Sequence, residues 1–231
     1  MSATRKSILV ILVILVADQV LKILVKTNMT LYQQIPLLGN WAFIHFVENN
    51  GMAFGLNLPG STGKIILTLF RIGAVVAIGF YLRHLIRLKA HPGLIISLSM
   101  IMAGAFGNII DSVFYGVIFD NSSPVRAARI FPPEGGYAPL LQGKVVDMFY
   151  FPIIRGNYPD WIREGTGFIF FRPVFNLADA SITVAVAMIL FNQKRFFRHL
   201  SPEGDRESSG EKDEPAHDLP ETEQERTGSA G

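Results

Sequence analysis

The 231-residue chain contains no cysteine, and charged residues make up only 17% of it. Without cysteine the chain forms no disulfide, binds no metal through thiolates and uses no cysteine nucleophile. Ordinary soluble domains are about 25% charged, whereas this chain is 49% hydrophobic. The composition therefore excludes thiol chemistry and points to a membrane protein.

Four long apolar windows dominate the sequence, at about residues 8–25, 65–82, 94–110 and 174–191. A helix needs ~20 residues to cross ~30 Å of hydrocarbon, so each window with its flanks is long enough. Within hydrocarbon, continuous apolar runs indicate helices. The first window lacks a small-x-small cleavage site, and "DQVLK" interrupts it, so we interpret it as an anchor rather than a cleaved signal peptide.

Basic residues flank these windows at one end of the predicted bundle. They are Arg5, Lys6, Arg83, Arg87, Lys89, Lys194, Arg195 and Arg198. By the positive-inside rule both termini are cytoplasmic, and segments 26–64 and 111–173 lie outside. The outer segments contain strand-like runs, "WAFIHFVENNGMAFGL" around a turn-like Asn-Asn-Gly and "GKVVDMFYFPII". The sequence thus predicts a mainly α membrane protein, a four-transmembrane-helix bundle with a small extracytoplasmic β-sheet and surface loops.

The composition changes abruptly after residue 200. Residues 201–231 contain ten acidic and three basic residues, a net charge of −7, and almost no apolar residues. Such a segment cannot bury enough apolar surface to offset its ordering entropy, so we predict a disordered acidic cytoplasmic tail. Residues 1–200 form one predicted membrane domain with a net charge of +9. Contact with anionic lipid headgroups accounts for this charge, and we infer no nucleic-acid binding from it.

Four carboxylates converge on the predicted outer boundary of the bundle: Asp18, Asp111, Asp147 and Asp179. Each has a structural explanation, such as an ion pair with Lys22 for Asp18 or a helix cap for Asp179. Together they also suit catalysis, because two adjacent carboxylates share one proton and supply both a base and an acid. Amide hydrolysis requires that combination.

The competing chemistries have less support in the sequence. It contains no HExxH motif, and a Ser/His/Asp set cannot be assembled from it, because only His45 of the five histidines lies in a predicted outer segment. A metal site built from carboxylates alone has no characteristic spacing here. A small proton- or ion-coupled transporter would place charges through the depth of the bundle, and a non-enzymatic lipopeptide-binding scaffold needs at most one carboxylate.

Five blocks of sequence resemble the lipoprotein signal peptidase (signal peptidase II) family. In chain order they are "DQVLK" (18–22), "NNGMAF" (49–54), "GNIID" (107–111), "KVVDMFYF" (144–151) and "FNLADASI" (175–182). They are similar to the family's D-Q-x-x-K, N-x-G-x-A-F, G-N-x-x-D, V-V-D-F and F-N-x-A-D-[AS]-x-[IF] motifs. Together they span most of residues 14–192.

The resemblance implies a cofactor-free aspartic endopeptidase of the bacterial inner membrane. Its partners are membrane lipid and prolipoproteins, which it cleaves just before the diacylglyceryl-modified cysteine. The implied catalytic pair is Asp147 and Asp179. The implied supporting and substrate-binding positions are Asp18, Lys22, Asn49, Gly51, Asn108, Asp111 and Asn176.

Two features depart from the family pattern. The family usually continues G-N-x-x-D with arginine, where this chain has Ser112. The catalytic block usually follows that motif closely, at a distance that would place it at Asp120 in "GVIFDN". We prefer Asp147 because "GKVVDMFYF" carries the whole block, and residues 117–143 are then an insertion that we expect to form a lid-like loop over the site.

Overall fold

The computed structural model describes residues 2–50, 60–157, 167–170 and 173–198. Its long helices are α1 (Ala3–Asn28), α2 (Gly60–Arg87), α3 (Pro92–Ile110) and α4 (Leu177–Phe197). A π-helical turn, Asp111–Tyr115, and a short helical turn, Gly116–Ile118, continue α3. The strands are β1 (Gln34–Leu38), β2 (Ala42–Asn49), β3 (Val145–Tyr150), β4 (Ile154–Asn157), β5 (Gly167–Phe170) and β6 (Val174–Phe175).

The mainly helical architecture and the small antiparallel sheet are confirmed. In the described part of the chain, three helical segments are long and apolar enough to cross a membrane, namely α1, α2 and residues 92–118. The fourth long helix, α4, is not among these three segments; it has a carboxylate in its first turn and cations in its last. The predicted fourth span began at residue 174, but Val174 and Phe175 form β6, because the side chain of Asn176 caps α4 by accepting from the backbone N–H of Asp179.

The sheet has the order β1-β2-β3-β6 and is antiparallel throughout, while β4 and β5 form a separate pair. The strand predicted at "KVVDMFYF" is confirmed as β3. The strand-like run before Asn-Asn-Gly is confirmed as β2, which ends at Asn49 and pairs with the preceding β1 across a turn in which Gly39 has φ +50. Positive φ favours glycine, which explains the turn position. Residues 51–59 lie outside the described part.

A hydrophobic core lies between the sheet and the ends of the helices that face it. Phe46, Val146 and Met148 from the sheet pack there with Val25 of α1 and Tyr115 of the π-helical turn. Side chains alternate along a strand, so Val146 and Met148 enter this core while Asp147 between them faces the other side. The core thereby orients a carboxylate that is itself only 3% exposed.

Two glycines let α3 approach its neighbours closely. A Cβ at Gly104 would clash with the carbonyl oxygen of Ala178 in α4, and one at Gly107 would meet a carboxylate oxygen of Asp18 in α1. Small residues permit such close helix packing in membranes. The first turn of α4 therefore lies against α3, next to the polar end of α1.

Residues 119–144 form hydrogen bonds with the neighbouring helical elements. Backbone N–H groups of Tyr137, Ala138 and Leu141 donate to Phe119, Gly116 and Val113, and Thr68 Oγ1 of α2 lies 3.1 Å from the carbonyl oxygen of Leu141. These bonds attach the segment along its length to the helix that precedes it and to α2. We call this segment, which contains most of the insertion predicted at residues 117–143, the cover; its lid-like role stays a prediction.

A buried ion pair fastens this cover to α1 and β2. Lys26 Nζ contacts both Glu48 and Ser122 Oγ, the latter at 3.0 Å. Lys26 also lies over the rings of Phe119 and Tyr137. Burial opposes the ionisation of Glu48, but Lys26 outweighs it and lowers the pKa of that carboxyl. The cluster links elements that are about 100 residues apart in the chain.

Candidate active site

Asp147 and Asp179 reach the same place from different elements. Asp147 lies on β3, and Asp179 is the third residue of α4. Asn176, the fully buried cap of α4, links them: its Nδ2 donates to Asp147 Oδ1 at 2.7 Å, and its backbone N–H donates to Asp179 Oδ2 at 3.3 Å. A single asparagine therefore sets the position of both carboxylates.

Two further asparagines occupy the remaining carboxylate oxygens. Asn108 Nδ2 donates to Asp179 Oδ1 at 2.8 Å, and Asn49 Nδ2 donates to Asp147 Oδ2. Asn49 is opposite Val145 in the β2–β3 register, two residues from the partner of Asp147, so both side chains are on one face of the sheet. The asparagines leave each carboxylate well oriented without neutralising it.

Asp147 holds its proton more tightly than an ordinary carboxyl. Burial and, after it, the negative charge of Asp179 raise its pKa to about 8, although the hydrogen bond from Asn176 acts in the opposite direction. At neutral pH Asp147 is therefore protonated beside a second carboxylate. This asymmetry gives one site both a proton donor and a potential base.

Lys22 lies at the centre of the supporting network. Its Nζ is 2.9 Å from Asp18 Oδ2, Asp111 Oδ2 and Asn108 Oδ1. Asp18 in turn accepts from the backbone N–H of Ala178 at 2.9 Å, in the first turn of α4. The network joins α1, α3 and α4 directly behind the two aspartates.

Asp111 completes that network on the sheet side. Its Oδ2 accepts from the backbone N–H of Val146 at 3.3 Å, next to Asp147. Its Oδ1 accepts from Gln19 Nε2 at 3.0 Å, and Tyr115 donates to the other end of the Gln19 side chain at 3.1 Å. Asp111 therefore connects β3 to the helices.

The structure brings together eight of the nine site residues predicted from the sequence. They are Asp18, Lys22, Asn49, Asn108, Asp111, Asp147, Asn176 and Asp179. Gly51, the ninth, lies outside the described residues. In the part of the chain that the structure covers, no group of three His, Cys, Asp or Glu residues is arranged to hold a metal ion.

The rival aspartate, Asp120, lies in a different environment. Its Oδ2 is 2.9 Å from Arg126 Nη2 and 2.9 Å from Arg129 Nε. Despite the opposing effect of desolvation, hydrogen bonds from Arg129 lower the pKa of Asp120. Asp120 is thus a buried carboxylate neutralised by two half-exposed arginines, which favours a structural role over proton transfer.

Sequence reasoning missed three contributors to the site. Gln19 lies in "DQVLK" but was assigned no role. Lys26 continues the four-residue spacing of Asp18 and Lys22 along α1, and this spacing already indicated that all three share one helix face. Arg71, inside the second apolar window, was assigned no role. Its charge is attracted to Asp179, Asp111 and Asp147, and it shares a helix face with the buried Thr68.

Comparisons with known proteins show which family the chain is similar to. The family model described as signal peptidase (SPase) II matches residues 10–195. Proteins named lipoprotein signal peptidase are similar to the chain in Porphyromonas gingivalis (strain ATCC 33277), with 49% identity over 78% of this chain and 79% of that protein. In Amoebophilus asiaticus (strain 5a2) the identity is 37%, over 79% of this chain and 75% of that protein.

Two solved structures share the fold. One, described as a bacterial membrane enzyme at 1.9 Å resolution, has a TM-score of 0.52 and 24% identity over 80% of this chain and 90% of its own. Another, with the same description at 2.3 Å, has a TM-score of 0.51 and 23% identity over 92% and 94%. With the family match over residues 10–195, the chain belongs to the signal peptidase II family.

Proposed function

We propose that the chain is an aspartic endopeptidase that removes signal peptides from prolipoproteins, with Asp147 and Asp179 as its catalytic residues. The observation that carries the proposal is the pair of hydrogen bonds from Asn176, which places a protonated and a second carboxyl group in one site. Family membership supports the substrate class. More specifically, we expect cleavage just before a diacylglyceryl-modified cysteine. We expect the reaction to take place at the outer face of the bacterial inner membrane, with both termini of the chain in the cytoplasm.

The two carboxyl groups have different tasks in the proposed reaction. Asp179 takes a proton from water as the water oxygen bonds to the scissile carbonyl carbon, and Asp147 donates its proton to the carbonyl oxygen. When the tetrahedral intermediate collapses, the C–N bond breaks and the leaving amine receives the proton that Asp179 took from water. Asp147 regains its proton from a hydroxyl of the intermediate as the carbonyl re-forms. Asn108 and Asn176 keep the acids oriented throughout.

This division of tasks predicts a specific pH profile. Below the pKa of about 8 Asp147 holds the proton that it must donate, and above it the group ionises. We expect kcat/KM to fall about tenfold for each pH unit above about 8. Turnover of a synthetic diacylglyceryl lipopeptide by purified protein between pH 5 and 10 measures this. A profile that stays flat to pH 10 would contradict the assignment of Asp147 as the acid.

Arg71 supplies positive charge that the family usually takes from the position of Ser112. Here the Ser112 hydroxyl donates to the carbonyl oxygen of Asn108, at 2.9 Å, whereas the charge of Arg71 is attracted to Asp179 and, more weakly, to Asp147. We expect Arg71→Gln to lower kcat/KM about 10–100-fold, and Arg71→Lys, which keeps the charge, to lose less.

The pH profile separates an electrostatic role of Arg71 from a purely structural one. Removing a nearby cation makes ionisation of Asp147 still less favourable, so the alkaline limb of the Arg71→Gln profile moves to higher pH. In Arg71→Lys the limb stays near its original position. If the glutamine variant loses activity with an unchanged profile, Arg71 acts through packing alone.

A further inference from the structure

A cavity lies at the opposite end of the bundle from the aspartates, between α1 and α2 with α3 behind it. We call it the basic groove. Its volume is about 430 Å³, within the range of ligand-binding pockets, about 300–1,000 Å³. Its lining includes Ser7 of α1 and Gly79, Arg83 and Arg87 of α2.

The groove is polar and cationic at its mouth and apolar at its depth. Arg83 and Arg87 are one turn apart on α2, and both are exposed. Further into the bundle the walls are Ile8, Ile11 and Met102. This gradient suits an amphipathic ligand that has a charged head and a hydrocarbon chain.

The charged groups at the mouth have no counter-charge in the described part of the chain. Neither arginine forms an ion pair there, because the described carboxylates belong to the far end of the bundle or to the outer segments. Ser7 is 2% exposed, lines the same cavity, and its Oγ has no hydrogen-bond partner among the described residues. A buried hydroxyl without a partner is unfavourable, so an acceptor in the groove would satisfy it.

We propose that the basic groove binds an anionic phospholipid. Its phosphate contacts Arg83 and Arg87, and its first acyl carbons lie between α1 and α2. Arginine binds phosphate in a bidentate manner, and basic pockets between membrane helices bind anionic headgroups. The site is independent of the peptidase reaction, because it uses none of the residues near Asp147.

The test is native mass spectrometry of the full-length protein in detergent, titrated with phosphatidylglycerol or with phosphatidylcholine of the same acyl chains. We expect phosphatidylglycerol to be retained on the order of tenfold better. The double variant Arg83→Gln/Arg87→Gln should lose this preference. The control, Lys194→Gln/Arg195→Gln, removes the same charge from exposed positions of α4 outside the groove and should keep it.

A third variant tests the groove itself rather than its charge. A Cβ at Gly79 would make ordinary contact with Met102 at 3.5 Å, so Gly79→Leu fits the fold while its longer side chain fills the cavity. It should weaken phosphatidylglycerol retention with both arginines in place. Three results would overturn the proposal: equal retention of the two lipids by the native protein, an equal loss in the α4 control, or undiminished retention in Gly79→Leu. The first would also follow if the chain's own acidic segment, residues 201–231, occupied the groove.

Discussion

Asp147→Asn and Asp179→Asn are each expected to lower kcat on the order of 10²–10⁴-fold, the range that a general acid or base contributes. Asparagine resembles the neutral carboxyl in size and keeps an acceptor for the neighbouring asparagines. It can neither take the proton from water in place of Asp179 nor donate a proton to the carbonyl oxygen in place of Asp147. Initial rates on a diacylglyceryl lipopeptide, with thermal unfolding in the same detergent to check the fold, measure the effect.

The matched control for this experiment is Asp120→Asn. Asp120 is the rival candidate; it is 8% exposed and pairs with Arg126 and Arg129, whose side chains are half exposed. Ion pairs with exposed partners contribute about 0–1 kcal/mol, so this variant should lose little stability and keep its activity. The assignment would be reversed if Asp147→Asn kept full turnover and Asp120→Asn lost it.

Lys22→Met is expected to cause the largest loss of stability, about 3–5 kcal/mol in the free energy of unfolding. Lys22 is fully buried and contacts Asp18 and Asp111, both at most 1% exposed. Removing its ammonium leaves two carboxylates buried side by side without a cation. Denaturant unfolding in a fixed detergent measures the change.

Lys194→Met is the control for the loss of a lysine from a helix. Lys194 is exposed in the last turn of α4, so its replacement should change stability by no more than about 0.5 kcal/mol. A second variant, Asp18→Asn combined with Lys22→Met, removes one of the stranded charges and should recover part of the loss. If Lys22→Met alone stays within 1 kcal/mol of the native protein, Lys22 does not hold the network together.

The sequence indicated most of the site, because the polar residues of the site stand out in apolar segments of the chain. Asp18 and Lys22 are one helical turn apart, and "KVVDMFYF" is strand-like with one acid, so their elements and faces follow from local periodicity. The resemblance to the family then separated Asp147 from the other carboxylates.

Contacts between distant residues could not be predicted in this way. The role of Asn176 depends on the β3–β6 register and on the start of α4 at Leu177 rather than residue 174. The contact between the cover, α1 and β2 runs through the Lys26–Glu48 pair, whose residues give no local signal of their pairing. Local hydropathy likewise gives no sign that the charge of Arg71 is attracted to Asp179 and Asp147.

By itself, the sequence determined which segments are helices or strands and which residue types are available, since both follow from the periodicity and chemistry of neighbouring residues. Only the tertiary structure decided that Asn176 contacts both aspartates and that Asp120 is neutralised elsewhere. The physical reason is that these contacts depend on strand register and on the close helix approach at Gly104 and Gly107, which the whole chain sets together.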